Sequence, residues 1–270
     1  MSVPEFAELS ARFGAKIVER NGVYWRQVRP FFYRPLHSVE PLDDRALVAP
    51  LRWPGGFQYA VAAGRPANST LNFIMLDRLQ EYSLGSIGHR RRHLIKQAAG
   101  RFAVRRIENL EELKERGHKA YLSFFERTQY AYRSDRVERN RFAQWAETLF
   151  RHPKAILLGA YGEGGLTAVS CSFWIKDTLL YTTFYAETES LRRNVGEVMF
   201  HELRMAAAGI PAIREIMIRP YKGGESMDQY YLIRGGKVVR MPARLELNRF
   251  TLAAIRRFMP GEHALLTGGS

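Results

Sequence analysis

From Ala155 to Leu247 the apolar positions fall into short runs separated by turn residues, and the spacing within the runs changes twice along the way. Ala155–Tyr161, Leu166–Ile175 and Leu179–Ala186 are apolar, β-branched and aromatic without proline, which predicts three strands. Gly162-Glu-Gly-Gly165 and Lys176-Asp-Thr178 supply the two hairpin turns between them. The period then becomes helical: Arg192-Arg-Asn-Val-Gly-Glu-Val198 opens a helix to about Ala208, stopped by Gly209 and Pro211. Glu215–Ile218 predicts a short buried strand. After Gly223-Gly224, Ser226–Gly235 predicts a short helix closed by glycine. Lys237–Leu247 is a last strand and Phe250–Phe258 an amphipathic terminal helix.

Upstream, helical spacing covers Gly88–Ala99, Leu110–Phe125 and Arg139–Arg151, with a strand at Phe102–Ile107. Residues 1–85 are rich in proline and aromatic residues. There Gly22–Trp25 and Phe31–Tyr33 predict a hairpin or edge pair broken by Pro30 and Pro35, and Phe57–Ala63 and Leu71–Leu76 predict further strands. The pattern contains no repeat. It divides the chain into a β-rich N-terminal segment (1–85) packed on a core domain (86–258), followed by a flexible tail (259–270).

Composition narrows the class. With 270 residues, 46% hydrophobic and 25% charged, the chain buries a substantial core and is not disordered. The single cysteine, Cys171, lies inside the apolar alternation Val169–Trp174, which excludes an intrachain disulfide and reads as a buried small hydrophobe in a reducing compartment. The N-terminus lacks a basic start followed by an apolar run, and about 18 consecutive apolar residues occur nowhere. A cytoplasmic protein with no transmembrane segment is expected. Metal is not: His201-Glu-Leu-Arg-Met205 begins like a zinc-protease helix, but Met205 takes the place of the second histidine. Tyr121, Phe124, Phe125, Tyr130 and Tyr132 form an aromatic cluster at a helix end and read as core packing.

Charge adds something else. Lysine and arginine exceed acidic residues by 41 − 27 = 14, and residues 82–106 hold seven cations, Arg90, Arg91, Arg92, Lys96, Arg101, Arg105 and Arg106, without one carboxylate. Such a run is either a solvated face or the footprint of an anionic partner: tRNA, a nucleotide cofactor, an acidic carrier protein or a phospholipid surface. Arg90, Arg91, Arg92 and Lys96 are the candidate contacts.

The order strand, Arg193-x-x-Gly196-x-Val198, helix, strand, Tyr231-x-x-x-Gly235 resembles the GNAT superfamily of N-acyltransferases, and Ser83–Arg257 as a whole resembles its Fem-type branch. The resemblance implies an α/β (α+β) fold with a mixed, mostly antiparallel sheet flanked by helices. It also implies transfer of an acyl group, acetyl first, from acyl-CoA to a primary amine of a small-molecule or peptidyl acceptor. The donor's pyrophosphate would lie on the helix start formed by Arg192, Arg193, Asn194, Val195, Gly196, Glu197 and Val198, where free N–H groups and the helix dipole favour an anion. Val198 stands where the family prefers glycine or alanine. A backbone N–H near Phe184, Tyr185 or Ala186 would polarise the carbonyl, Tyr231 would protonate the leaving group, and Glu187 or Glu189 would take the amine's proton. Fem-type members use aminoacyl-tRNA in several cases, so a tRNA-dependent aminoacyl transferase is the alternative. A binding protein that retains only the scaffold is a second one.

Overall fold

The computed structural model describes residues 1–43, 47–50, 55–129 and 133–267. Tyr130 and Tyr132 of the aromatic cluster, and 268–270 of the tail, lie outside the described residues. In chain order the elements are α1 (Val3–Arg12), β1 (Ile17–Arg20), β2 (Val23–Arg29), β3 (Phe32–Pro35), β4 (Gly56–Ala60), β5 (Ser69–Leu76), α2 (His89–Ala99) and β6 (Ala103–Arg106). A helical run follows, made of α3 (Leu110–Glu112), a π-turn (Leu113–Gly117) and α4 (His118–Thr128). Then come α5 (Arg139–Phe150), β7 (Ala155–Gly162), β8 (Gly165–Ile175), β9 (Thr178–Ala186), α6 (Thr188–Arg192) and α7 (Val195–Ala208). The chain ends with β10 (Glu215–Pro220), α8 (Ser226–Leu232), β11 (Lys237–Leu247), α9 (Arg249–Phe258) and α10 (Pro260–Thr267). The architecture is the expected mixed α/β one, with mostly antiparallel strands flanked by helices and a β-rich N-terminal stretch.

Two compact units are present, Met1–Leu76 with Met217–Ser270, and Asp77–Ile216. In the first, strands run in the order β1-β2-β3-β4-β11-β5. All these pairs are antiparallel except β3 with β4. Trp25, Tyr33, Tyr59 and Val61 form one core cluster, and Ala60, Leu71, Phe73, Met75 and Ala243 another. The N-terminal helix α1 has no periodic apolar run long enough to announce it. Its signal is local: Ser2 Oγ accepts from the Glu5 amide while the Glu5 carboxylate accepts from the Ser2 amide, a reciprocal cap. Residues 260–267, in the stretch anticipated as a tail, form α10, whose Leu266 carbonyl accepts from Gln58 Nε2 and Ser69 Oγ.

The second unit is an antiparallel sheet in the order β9-β8-β7-β6, on which α4, α5 and α7 pack. Along β8 every residue from Leu166 to Phe173 is buried, because helices cover the sheet on both faces. The alternation along it therefore marks no solvent face, since Thr167, Ser170 and Ser172 are buried as well. Cys171 sits at its centre, and burial pushes the thiol up to about 12. Two results follow. The folded protein should leave Cys171 unreacted with a thiol reagent at neutral pH until it is denatured. Because the folded value lies above the unfolded one, the thiol's contribution to stability is complete below about pH 9 and is lost as pH rises toward 12.

Candidate functional site

β9 ends in Phe184-Tyr185-Ala186 and delivers the chain into α6 and α7. Alternation along the strand turns Tyr185 into the core, where its ring meets Tyr121 edge-on at 5.4 Å and lies within 6.3 Å of Phe142 and 6.2 Å of Trp145. Arg136 closes this box, stacked 4.2 Å over Trp145. Among the described residues the Tyr185 hydroxyl has no hydrogen-bond partner, and burial raises its pKa well above the usual phenol value. The side chain is therefore a packing element, and only the backbone at 185–186 remains for the polarising role assigned to it. The pairing of β8 with β9 slips at Thr182, whose hydroxyl donates to the Cys171 carbonyl at 2.9 Å. This irregularity precedes the position that the family resemblance suggested. At the strand's end Arg127 donates to Thr188 Oγ1 at 2.9 Å and to the Ala186 carbonyl at 3.4 Å, tying α4 to the start of α6.

Helix α6 stops at Arg192, and Asn194, at φ 65°, starts α7 without a side-chain cap. Asparagine tolerates this left-handed backbone better than most residues. Glu189 and Arg192 pair with each other on the exposed side of α6, so a candidate base and a candidate phosphate ligand neutralise one another there. Glu187 precedes α6 half-buried, and Arg193 is exposed. Val195 and Val198 are buried under α7, and the Glu197 amide bonds the Asn194 carbonyl at 3.0 Å. Glu197 itself is buried in the first turn, its carboxylate 2.8 Å from Arg91 Nη1 of α2. A carboxylate at a helix N-terminus complements the same dipole that a phosphate would. One and two turns further along the same face, Tyr82 bonds His201 Nδ1 at 2.9 Å and Arg204 stacks 3.5 Å over the Tyr82 ring. Burial, with Arg204 nearby, holds His201 below its usual pKa, and burial raises Tyr82.

The basic window is less uniform than its sequence. Arg91 has Glu197 as countercharge, which local sequence did not reveal because the two are 106 positions apart. Arg92 donates to the Gly85 and Ile87 carbonyls, both at 3.1 Å, and so fixes the turn before α2. Arg90 and Lys96 are exposed on α2, as are Arg101 and Arg106 after it, whereas Arg105 lies 4.3 Å over the Tyr161 ring. The candidate anion contacts thus divide into two structural arginines and two exposed cations.

In the other unit Tyr231 lies on α8, buried, with its ring 5.0 Å from Tyr230 in an edge-to-face contact. Tyr230 is stacked by Arg234 at 3.3 Å. The Tyr-x-x-x-Gly spacing has a local cause: Gly235, at φ 90°, ends the helix, and a Cβ on Gly236 would lie 2.9 Å from the Tyr231 carbonyl oxygen. Sequence reading missed Asp228. It is completely buried, its Oδ2 accepting from the Lys222 and Gly224 amides at 2.9 and 3.1 Å while Oδ1 lies 3.5 Å from Arg219 Nε. An acidic residue in the first turn of the helix that follows the Gly-Gly turn is the signal that would have found it. Asp228→Asn should cost about 1.5 kcal/mol in denaturant unfolding, since the arginine loses its buried countercharge while the shape is kept.

No family model and no curated protein matches the sequence. Solved structures share its fold. The C-terminal domain (DUF2156) of a putative lysylphosphatidylglycerol synthetase from Agrobacterium fabrum superposes with a TM-score of 0.60 at 10% identity, covering 100% of this chain and 98% of that one. FemX gives 0.62 at 11% identity over 93% and 92%. L-PGS from Bacillus licheniformis gives 0.57 at 9% identity over 96% of both chains. The chain therefore has a GNAT/Fem-like fold along essentially its whole length.

Proposed function

We propose that this chain is a transferase that takes an activated aminoacyl group from tRNA and passes it to an acceptor amine or hydroxyl. The observation that carries the reading is the start of α7, where the buried Glu197 pairs with the half-buried Arg91 in the turn that a CoA pyrophosphate would need, beside an α2 that exposes Arg90 and Lys96. A helix start already carrying a carboxylate suits a diphosphate poorly, whereas exposed cations without fixed partners among the described residues suit a nucleic-acid backbone. The full-length likeness to FemX and to a domain whose name specifies a lysyl group on a phospholipid supports aminoacyl transfer.

The chemistry asks little of the protein. The acceptor's lone pair attacks the ester carbonyl, the carbon–oxygen bond to the tRNA ribose breaks, and one proton passes from the acceptor to that leaving oxygen. In this reading Tyr231 supplies the proton to the leaving oxygen and Glu187 receives one from the acceptor. Glu189, paired with Arg192, is the weaker candidate base. The backbone N–H groups near Ala186 stabilise the oxyanion.

A second reading, transfer from acyl-CoA, is favoured by Gly196 at the beginning of α7 and by the exposed Arg193. Calorimetric titration of the full chain with CoA and, separately, with bulk aminoacylated tRNA decides between them. Binding of tRNA with a steep salt dependence and no heat from CoA is the expected result; the reverse pattern establishes acyl-CoA as donor and ends the tRNA reading.

A further inference from the structure

Helix α9 is ten residues long and has no buried residue. A helix of that length is marginal in water unless packing supports it, so an unburied one calls for a partner. Its sequence, Arg249-Phe-Thr-Leu-Ala-Ala-Ile-Arg-Arg-Phe258, is strongly amphipathic. Phe250, Ala254 and Phe258, four apart, form one stripe; Leu252, Ile255 and Met259 form the next; Arg249, Arg256 and Arg257 occupy the opposite side. Leu252 and Ile255 are half-buried, and α10 packs on α9. The Phe250 and Phe258 rings remain 86% and 80% exposed, the largest apolar exposures among the described residues. All three arginines are exposed, and the helix carries no acidic residue.

A second exposed aromatic is tied to the same place. Arg29, at the end of β2, pairs with Glu262 of α10 at 2.8 Å. Two residues on, Phe31 occupies the β2–β3 turn at φ 58° with 59% of its surface exposed. A bulky aromatic residue held in the left-handed region and pointed into water is unfavourable on both counts.

From these contacts we infer that α9, extended by the Phe31 turn, docks on an anionic lipid surface, with the phenylalanines entering the headgroup boundary and the arginines meeting lipid phosphates. The occupant follows from charge complementarity. Aromatic residues flanked by arginines on a helix without acids match the interface of an anionic bilayer, and the chain's net charge of +14 adds to the attraction. This surface stands whichever donor the transferase uses.

The test is co-sedimentation of the full chain with vesicles of phosphatidylcholine and with vesicles of phosphatidylcholine and phosphatidylglycerol in equal parts. Binding to the mixed vesicles alone, weakened by salt, is expected. Phe250→Ser with Phe258→Ser should lower partitioning by about a hundredfold, and Arg256→Gln with Arg257→Gln by about thirtyfold. Both pairs are exposed, so circular dichroism and tRNA affinity should match the parent protein; a change in vesicle binding alone isolates this surface from the donor site. Equal binding to both vesicle types, or none to either, overturns the inference. So does a concentration-dependent dimer in ultracentrifugation that the Phe250→Ser, Phe258→Ser variant dissolves, because the face then belongs to a second copy of the chain.

Discussion

Reversing Arg90 and Lys96 to glutamate should weaken tRNA binding by about a hundredfold at low salt and reduce the slope of log affinity against log salt by roughly 1.4 to 1.8, since each lost phosphate contact contributes about 0.7 to 0.9. Filter binding across a salt series reads both quantities. These two positions are chosen because they are exposed on α2, whereas Arg91 is committed to Glu197 and Arg92 to the turn carbonyls at Gly85 and Ile87. Changing either of the latter would disturb the packing of α2 on α7 and confuse affinity with folding. Unchanged affinity and slope would show that α2 is a solvated face and that tRNA does not use it.

Tyr231→Phe should lower turnover by about a hundredfold, the usual cost of losing a general acid, with donor affinity nearly unchanged. The phenyl ring keeps the edge-to-face contact with Tyr230. Tyr230→Phe is the control, because its stacking with Arg234 survives loss of the hydroxyl. If the two variants turn over equally, the acid lies elsewhere.

Much of the fold was legible because each element carries its own period. The β7–β8–β9 meander, α7 and β11 fall within a residue or a few of where spacing puts them, since buried strands and an amphipathic helix both mark their faces in sequence. What escaped was of two kinds. Short-range signals such as the Ser2–Glu5 cap are visible in sequence but too brief to stand out against proline-rich surroundings. Long-range pairings are not local properties at all. Glu197 looks like an ordinary first-turn acid until Arg91 is brought to it, and Asp228 looks exposed until the Lys222 and Gly224 amides wrap around it. The candidate site suffered most from this, because a transferase acting on an activated ester needs only a few groups in register and no distinctive cluster of residues.

The first unit is assembled from both ends of the chain, and its strand β11 lies between β4 and β5, from which it is separated by more than half the sequence. The second unit is continuous. During synthesis Asp77–Ile216 can therefore complete its contacts while β4 and β5 still present unpaired edges, and only the emergence of Lys237–Leu247 closes them. The interval in which those edges stand open is the time when the nascent chain is most exposed to strand-to-strand association. Folding yield should depend on how quickly residues 217–270 follow, so slowing translation after Ile216 should increase aggregation more than slowing it before Asp77.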